Sequence, residues 1–429
     1  MKTVVSHTYS AQNAGDAILL SVLLQDIRSV APNADINILT IDNVSEGEAF
    51  EGHPVLPSFM FHALNRCRLR PLKLLHTVCI VSATAAAAGW YAATGRRLPL
   101  GRTLGRLMDI YTSADIVIPA GGGYLRGKKG LSSTVELILL LHPLTLSLIL
   151  SKPIVMYTQS IGPFGNQLQS WLASRVLKKV DLIIAREDIS YRLLESMGVD
   201  ENVIRSVDAA FASEGGPTIS LRERLGTPPG ALLVGFTVRR WLAGRGQERY
   251  EQAMAELADA VIDRHHAEVV FIPQVTVEHH MDDDRITSRR VAARMRGHAH
   301  VLNDQANYRT TRGIYGDLNI LIGTRFHSVI FALTSGVPAL AIQYEHKTAG
   351  IMHDLGLDEW VLEMEHVNGP QLVERFEALM VHGDAYLETL RKRLPEYRQR
   401  AHQTKTSLLR VIEAGGTDHQ PSRLDATPR

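Results

Sequence analysis

The sequence predicts an α/β protein built from two Rossmann-like halves. Three observations point there: short apolar runs that read as buried strands, patterns of helical period between them, and a length of 429 residues, too great for one ordinary core. Strands are expected at 3–7, 36–41, 116–119, 154–157, 182–185, 232–237, 268–272, 318–322 and 339–342. Helices are expected at 17–30, 167–177, 189–197, 249–265, 286–296 and 370–391. Alternation of this kind makes βαβ units and parallel sheets. The expected division is an N-terminal half over 1–178, carrying an insertion at about 50–108, and a C-terminal half over 179–414. Residues 415–429 are polar, contain two prolines and read as a disordered tail.

Charge is balanced, 46 Lys and Arg against 45 Asp and Glu, so no nucleic-acid partner is expected. Cys67 and Cys79 form neither a disulfide framework nor a zinc pattern, which suits a reducing cytosol. The first strand begins at once, so no export signal is expected and the expected location is cytoplasmic. Residues 78–93 are apolar and rich in alanine, but shorter than the roughly 20 residues of a membrane-spanning helix. Two readings stand. One is a buried or domain-packing helix. The other is a helix lying at the inner face of the membrane, anchored by Trp90, Tyr91 and the flanking Arg66, Arg68, Arg70, Lys73, Arg96 and Arg97. Residues 137–150 are also apolar, and His142-Pro143 is expected to divide them into two core segments.

The stretch 320–350 sets Arg325 and His327 at a turn between a buried strand and a helix. Ligands of open α/β sheets bind beyond the carboxyl ends of the strands, where helix N-termini offer free N–H groups to anions. Arg186, after strand 182–185 and placed in the same half as Arg325, emerges at that edge by the same reasoning. Arg239 and Arg240 follow strand 232–237, and Lys347 follows the strand at 339–342. For Arg186, Arg239 and Arg240 the competing role is an ion pair with Glu187 or another acid. In the first strand-to-helix turn, Asn13, Gly15 and Asp16 face the same crevice. Asp16 there is either the helix N-cap or a hydrogen-bond acceptor and base. Gly121, Gly122 and Gly123 let backbone approach a ligand, and Tyr124, Gln159 and Ser160 are candidate lining residues. His279, His280 and Asp282 to Asp284 fit no standard metal spacing, so no metal is expected.

Taken in order, these residues resemble the signature of the polysaccharide pyruvyl transferase family. The set comprises Asn13-x-Gly15-Asp16, Gly121 to Gly123, Gln159-Ser160-x-Gly162-Pro163, Ala185-Arg186-Glu187 with Ser190, Pro273-Gln274 before Asp282-Asp283, and Gly323-x-Arg325-x-His327 followed by Ala332, Gly336-Val337-Pro338, Ile342-x-Tyr344 and Lys347. The likeness spans about residues 1–365. It implies two facing Rossmann-like domains in a GT-B-like arrangement, and transfer of the enolpyruvyl unit of phosphoenolpyruvate to a sugar as a cyclic ketal. It makes phosphoenolpyruvate the co-substrate, with no further cofactor, and a sugar or lipid-linked oligosaccharide the acceptor. A flat carboxylate and a phosphate call for guanidinium groups, so Arg325 and Arg186 are the expected donor clamp, with Lys347, Arg239 and Arg240 as further cations. His327 is the expected acid. Asp16, Asn13, Gly15, the glycine triplet and Gln159 are expected to face the acceptor. The rival readings are a GT-B glycosyltransferase using a nucleotide sugar, and a non-catalytic relative that binds glycan or membrane.

Overall fold

The structure, a computed structural model, describes residues 1–44, 47–65, 70–213, 220–277, 282–304 and 307–414. The first sheet begins with β1 (Lys2–Thr8), α1 (Ala14–Val30), β2 (Asp35–Thr40), β3 (Ala49–Phe50) and β4 (His53–Pro57). Three helices follow, α2 (Phe59–Asn65), α3 (Arg70–Thr94) and α4 (Gly101–Ser113). The chain then returns through β5 (Ile116–Pro119), β6 (Gly122–Leu125), α5 (Leu131–Ile149), β7 (Val155–Ile161), α6 (Gln167–Leu177), β8 (Leu182–Ala185), α7 (Asp188–Ser196) and β9 (Val203–Arg205). Strands run in the order β3-β4-β2-β1-β5, and β6-β7-β8-β9 continue the sheet through a parallel bridge of Val117 with Ile154.

The second unit contains α8 (Leu221–Leu225), β10 (Leu233–Thr237), α9 (Arg245–His265), β11 (Glu268–Phe271), β12 (Thr276–Val277), β13 (Asp282–Asp283) and α10 (Asp284–Ala292). It continues with β14 (His300–Val301), α11 (Tyr308–Gly313), β15 (Ile320–Gly323), α12 (Phe326–Thr334), β16 (Ala339–Gln343), α13 (His346–Asp354), β17 (Val361–Glu363) and α14 (Gly369–Ala414). Its six parallel strands run β14-β11-β10-β15-β16-β17, the order of a dinucleotide-type Rossmann sheet. Strands such as Leu321 and Ile322, or Ile183 and Ile184, are buried on both faces, which is why they read as unbroken apolar runs.

Four expectations change. The strand order puts β8 and β9 in the first sheet, so the change of sheet falls between Arg205 and Leu233 rather than near residue 178. Arg186 therefore belongs to the half opposite Arg325. The expected insertion also shrinks, because β4 pairs in parallel with β2 and the helical excursion starts only after it. Third, residues 137–150 form one continuous helix through Pro143. Proline removes a single N–H there, burial of Leu137, Leu140, Leu141 and Leu144 holds both sides together, and Ser147 Oγ donates to the Pro143 carbonyl at 2.8 Å. Fourth, α14 runs through Pro395 to Ala414 because its buried face continues along Leu390, Leu394, Tyr397, Ala401 and Leu408. The extra length carries it back onto the first unit, where Tyr397 meets Phe211 edge-on and Thr404 bonds Ser206 at 2.7 Å. The expected tail lies outside the described residues.

The apolar segment 78–93 is the centre of α3, one side of which packs on α5 while Leu75, Val78 and Trp90 stay exposed. It is thus no core helix. Between it and the sheet lies His142, whose Nε2 bonds Thr84 Oγ1 at 2.8 Å and whose ring lies edge-on to Phe59. Burial pushes the His142 imidazole down to about 4. Between pH 6.5 and 4 the unfolded chain therefore takes up this proton before the folded one, so stability falls as pH falls. Lowering pH from 7 to 5 is expected to cost roughly 2 kcal/mol through this group. Urea unfolding of wild type and His142→Gln at both pH values measures it; the variant should show the smaller pH dependence.

Candidate active site

The carboxyl ends of the two sheets face each other across a cleft of about 260 Å³. Backbone bonds fasten one side of it. Asn13 bridges Val275 in antiparallel fashion, Ala14 N–H donates to the Gln274 carbonyl at 2.9 Å, and Thr276 N–H donates to the Gln12 carbonyl at 3.0 Å. On the other side Arg126, from the turn after β6, pairs with Glu345, which caps the start of α13.

Arg325 stands at the N-terminal end of α12 and is only 7% exposed. Its Nε lies 3.0 Å from Asp284 Oδ2, and its Nη2 lies 2.6 Å from both Asp284 Oδ1 and Asp282 Oδ1. Burial alone would lower its pKa, but Asp284 and Asp282 hold it firmly charged. Nη1 makes no hydrogen bond to the described residues and remains for a ligand. Asp284 is buried as well, and its carboxylate also accepts the N–H groups of Gln274 and Val275 at 3.0 and 3.1 Å. Asp283 caps α10 and pairs with Arg285. The acid run thus serves ion pairs and a cap. His279 and His280 lie outside the described residues, and no metal-binding group occurs among the described ones.

Arg186 reaches the same cleft from the first sheet. It is 2% exposed; Nε donates to Ser160 Oγ at 2.6 Å and Nη1 to Asp208 Oδ2 at 2.7 Å, while Nη2 makes no hydrogen bond to the described residues. Its main acid partner is Asp208, with Glu187 farther away at 3.5 Å. His327, in the first turn of α12, sits between the units. Its Nε2 is buried, lies 3.7 Å from Asp208 Oδ2 and makes no hydrogen bond. Burial depresses the imidazole to about 3, with Asp208 opposing and Arg186 and Lys347 reinforcing the fall. The ring is neutral at neutral pH.

Gly15 meets His327 from the other unit, and a Cβ built there would overlap Nδ1. The contact explains why glycine stands at that position. Asn13, and not Asp16, caps α1: its Oδ1 accepts the N–H groups of Gly15 and Asp16. Its amide donates to Asp16 Oδ2 at 2.6 Å. Freed from capping, Asp16 lines the cleft, and burial pushes its carboxyl up to about 6 against Lys347 and Arg186. Gly121, Gly122 and Gly123 also line the cleft. A Cβ built at Gly121 would lie 2.6 Å from Thr158 Oγ1, whereas at Gly123 it would only touch Ser160, Arg186 and Lys347. Gln159 differs from expectation: it is fully buried, and its amide donates to the Ala120 carbonyl at 2.7 Å, so it props the glycine turn from below. Ser160 is likewise occupied, donating to Glu187 at 2.9 Å.

Of the consecutive pair after β10, Arg239 enters the cleft and Arg240 is exposed outside it. Arg239 lies over Tyr344 and Trp241, 4.2 and 4.7 Å from their ring centres. Its side chain makes no hydrogen bond or ion pair with the described residues, and its Nε is buried. Lys347 pairs with Glu345 at 3.0 Å. Sequence reasoning missed several lining or supporting residues: Asp208, Asp284, Arg126, Trp241, and His7, which stacks on Tyr124 with ring centres 4.5 Å apart. No local pattern marks them, because each gains its role from a partner far away in the chain.

Two facing Rossmann-like units with charged groups gathered at the strand ends between them define a protein of GT-B-like fold. Solved structures of that kind resemble the chain over almost its whole length. A putative UDP-N-acetylglucosamine 2-epimerase from Listeria monocytogenes superposes with a TM-score of 0.59 at 12% identity, covering 97% of both chains. Anabaena Alr3699/HepE, solved with UDP and glucose, gives 0.54 at 12% identity over 96% of this chain and all of that one. Likeness at this identity speaks for fold alone. The chain belongs to the polysaccharide pyruvyl transferase family, whose model matches residues 13–346. It is also 24% identical to the amylovoran biosynthesis protein AmsJ of Erwinia amylovora over 402 residues, which is 89% of this chain and 92% of that protein.

The buried pair makes a stability prediction. Asp284→Ala leaves Arg325 with Asp282 alone and strands two N–H groups, and should lower the unfolding free energy by about 3 kcal/mol. Asp263→Ala, which removes an exposed partner of Arg296, should change it by less than about 1 kcal/mol. Urea titration of the two variants compares them directly.

Proposed function

We propose that this chain transfers the enolpyruvyl unit of phosphoenolpyruvate to a sugar of a surface polysaccharide or its lipid-linked precursor, forming a cyclic pyruvate ketal and releasing phosphate. Membership of the family and the likeness to an exopolysaccharide biosynthesis protein support the transferase class. The observation that carries the finer reading is that Arg325, Arg186 and Arg239 line one cleft with His327, and that Arg325 Nη1, Arg186 Nη2 and the Arg239 guanidinium make no hydrogen bond to the described residues. Acids orient both clamp arginines while one nitrogen of each stays free, as a small carboxylate and phosphate require.

His327 gives a proton to the methylene carbon of the enol, turning it into a methyl group and leaving cationic character on the neighbouring carbon. A sugar hydroxyl attacks that carbon while Asp16, lifted toward neutrality, accepts its proton. Phosphate then leaves with its bonding electrons, and a second hydroxyl closes the ketal. The acceptor approaches from the side of Asn13, Gly15 and Gly121 to Gly123, and the donor from the side of Arg239 and Lys347. Asp16 passes the first hydroxyl's proton to the released phosphate, and the second hydroxyl's proton restores His327.

A neutral His327 cannot donate, so it has to take up a proton when the donor binds. Bound phosphate offsets Arg186 and Lys347, the two cations that depress the imidazole, and thereby raises it. Binding of phosphoenolpyruvate at pH 7 should therefore be accompanied by proton uptake. Calorimetric titration in buffers of different ionisation enthalpy reads this, and His327→Gln should bind without it. Thermal melting against phosphoenolpyruvate and a panel of UDP- and GDP-sugars tests the donor class. Phosphoenolpyruvate alone should raise the melting point, and Arg239→Gln should reduce that rise. A rise with a nucleotide sugar alone would move the reading to glycosyl transfer.

A further inference from the structure

Residues 52–108 contain eight of the 46 lysines and arginines and none of the 45 acids, so the rest of the chain carries 38 cations against 45 acids. The segment includes β4 and the three helices α2, α3 and α4. At its centre, Leu74 to Thr94 of α3 contains no Asp, Glu, Lys or Arg. One side of this helix packs inward: Ile80 meets Leu139, Thr84 bonds His142, and Ala87 and Ala88 join Leu146 and Leu150. The other side faces out. Leu74, Leu75, Val78 and Trp90 are 49%, 60%, 49% and 46% exposed, and only small uncharged residues such as Ala83 and Ala86 lie between them on that face. A surface helix of a water-soluble domain normally carries charge on its outer face. Here cations stand at the ends instead. Arg96, Arg97, Arg102 and Arg106 are exposed beyond the helix, and among the described residues only Arg97 of these is paired, with Asp109 at 3.0 Å. The sequence places Arg66, Arg68, Arg70 and Lys73 before the uncharged stretch that begins at Leu74.

We propose that α3 lies in the plane of an anionic phospholipid surface, its uncharged face at the acyl-chain boundary and its flanking cations on headgroup phosphates. Spanning is disfavoured because contacts with α5 run from Ile80 to Ala88 and would all have to break. The same segment reaches the cleft. Helix α2 packs on α3 and α5 and contributes Met60 to the cleft wall, so docking sets the acceptor side of the cleft close to the lipid. On the function proposed above, a sugar carried on a lipid would meet Asp16 from that surface. The docking itself does not depend on that reading, and its test contains no catalytic step.

The full chain is spun with vesicles of phosphatidylglycerol mixed with phosphatidylcholine, and with phosphatidylcholine alone. Sedimentation with the anionic vesicles at low salt, about tenfold above the neutral ones and released by high salt, is the expected result. Leu75→Asp with Val78→Asp, at exposed positions that leave the core intact, should lower sedimentation by roughly tenfold or more, as should Arg96→Glu with Arg102→Glu. Melting curves of both variants should match wild type. Brominated lipid should quench wild-type fluorescence, and Trp90→Phe should abolish that quenching. Failure to sediment at low salt overturns the proposal, as does a Leu75→Asp/Val78→Asp variant that sediments like wild type. A lipid-free dimer that the same double variant dissolves also overturns it and assigns the face to a second copy of the chain.

Discussion

One carboxylate, Asp284, joins the parts of this protein that have to meet. It holds the Arg325 guanidinium on one side and the N–H groups of Gln274 and Val275 on the other. The loop it fixes is the loop on which the other unit docks, through Gln12, Asn13 and Ala14. Docking there sets Gly15 against His327. A single buried acid therefore coordinates the Arg325 guanidinium, the approach of the two units and the surroundings of the histidine. Isolated burial of such a charge would be costly, and its three hydrogen-bonded partners are what make it tolerable.

Asp208 plays the matching part in the first unit. Its Oδ1 caps the short turn at Ala210, while Oδ2 holds Arg186 and stands 3.7 Å from His327. Each of the two acids, in its own unit, holds an arginine that lines the cleft. His327 feels one acid and two cations within a buried site, and desolvation prevails, so the ring is neutral when the cleft is empty. A change in the charge bound nearby is the natural control over its protonation.

The fold was legible because strands buried on both faces must be apolar throughout, as at 182–185 and 320–323, and because helices between parallel strands carry the longer period. The placement of Arg325, Arg186, His327 and Gly15 at strand ends was legible for the same topological reason. What those residues touch was not. Asp208 and Asp284 acquire partners 22 and 41 positions away, and no local pattern encodes such pairs. Arg239 and Arg240 read alike as neighbours, yet one enters the cleft and the other is exposed outside it. The change of sheet was misplaced because a strand of the first half and a strand of the second obey the same pattern. Pro143 was read as a break, and the last helix was ended at 391, by local rules that continuous burial overrides.

Acid partners within the protein already engage most of the cations in the cleft. Glu345 pairs with both Lys347 and Arg126, and Asp282 and Asp284 occupy much of Arg325. What is left is a set of single open valences: one nitrogen on each clamp arginine and the stacked Arg239. Such a set suits a compact ligand with two anionic groups close together, because each group can meet one or two fixed donors without displacing an acid. The Arg126–Glu345 pair joins the turn after β6 to the start of α13, and so ties the two units together on the far side of the cleft.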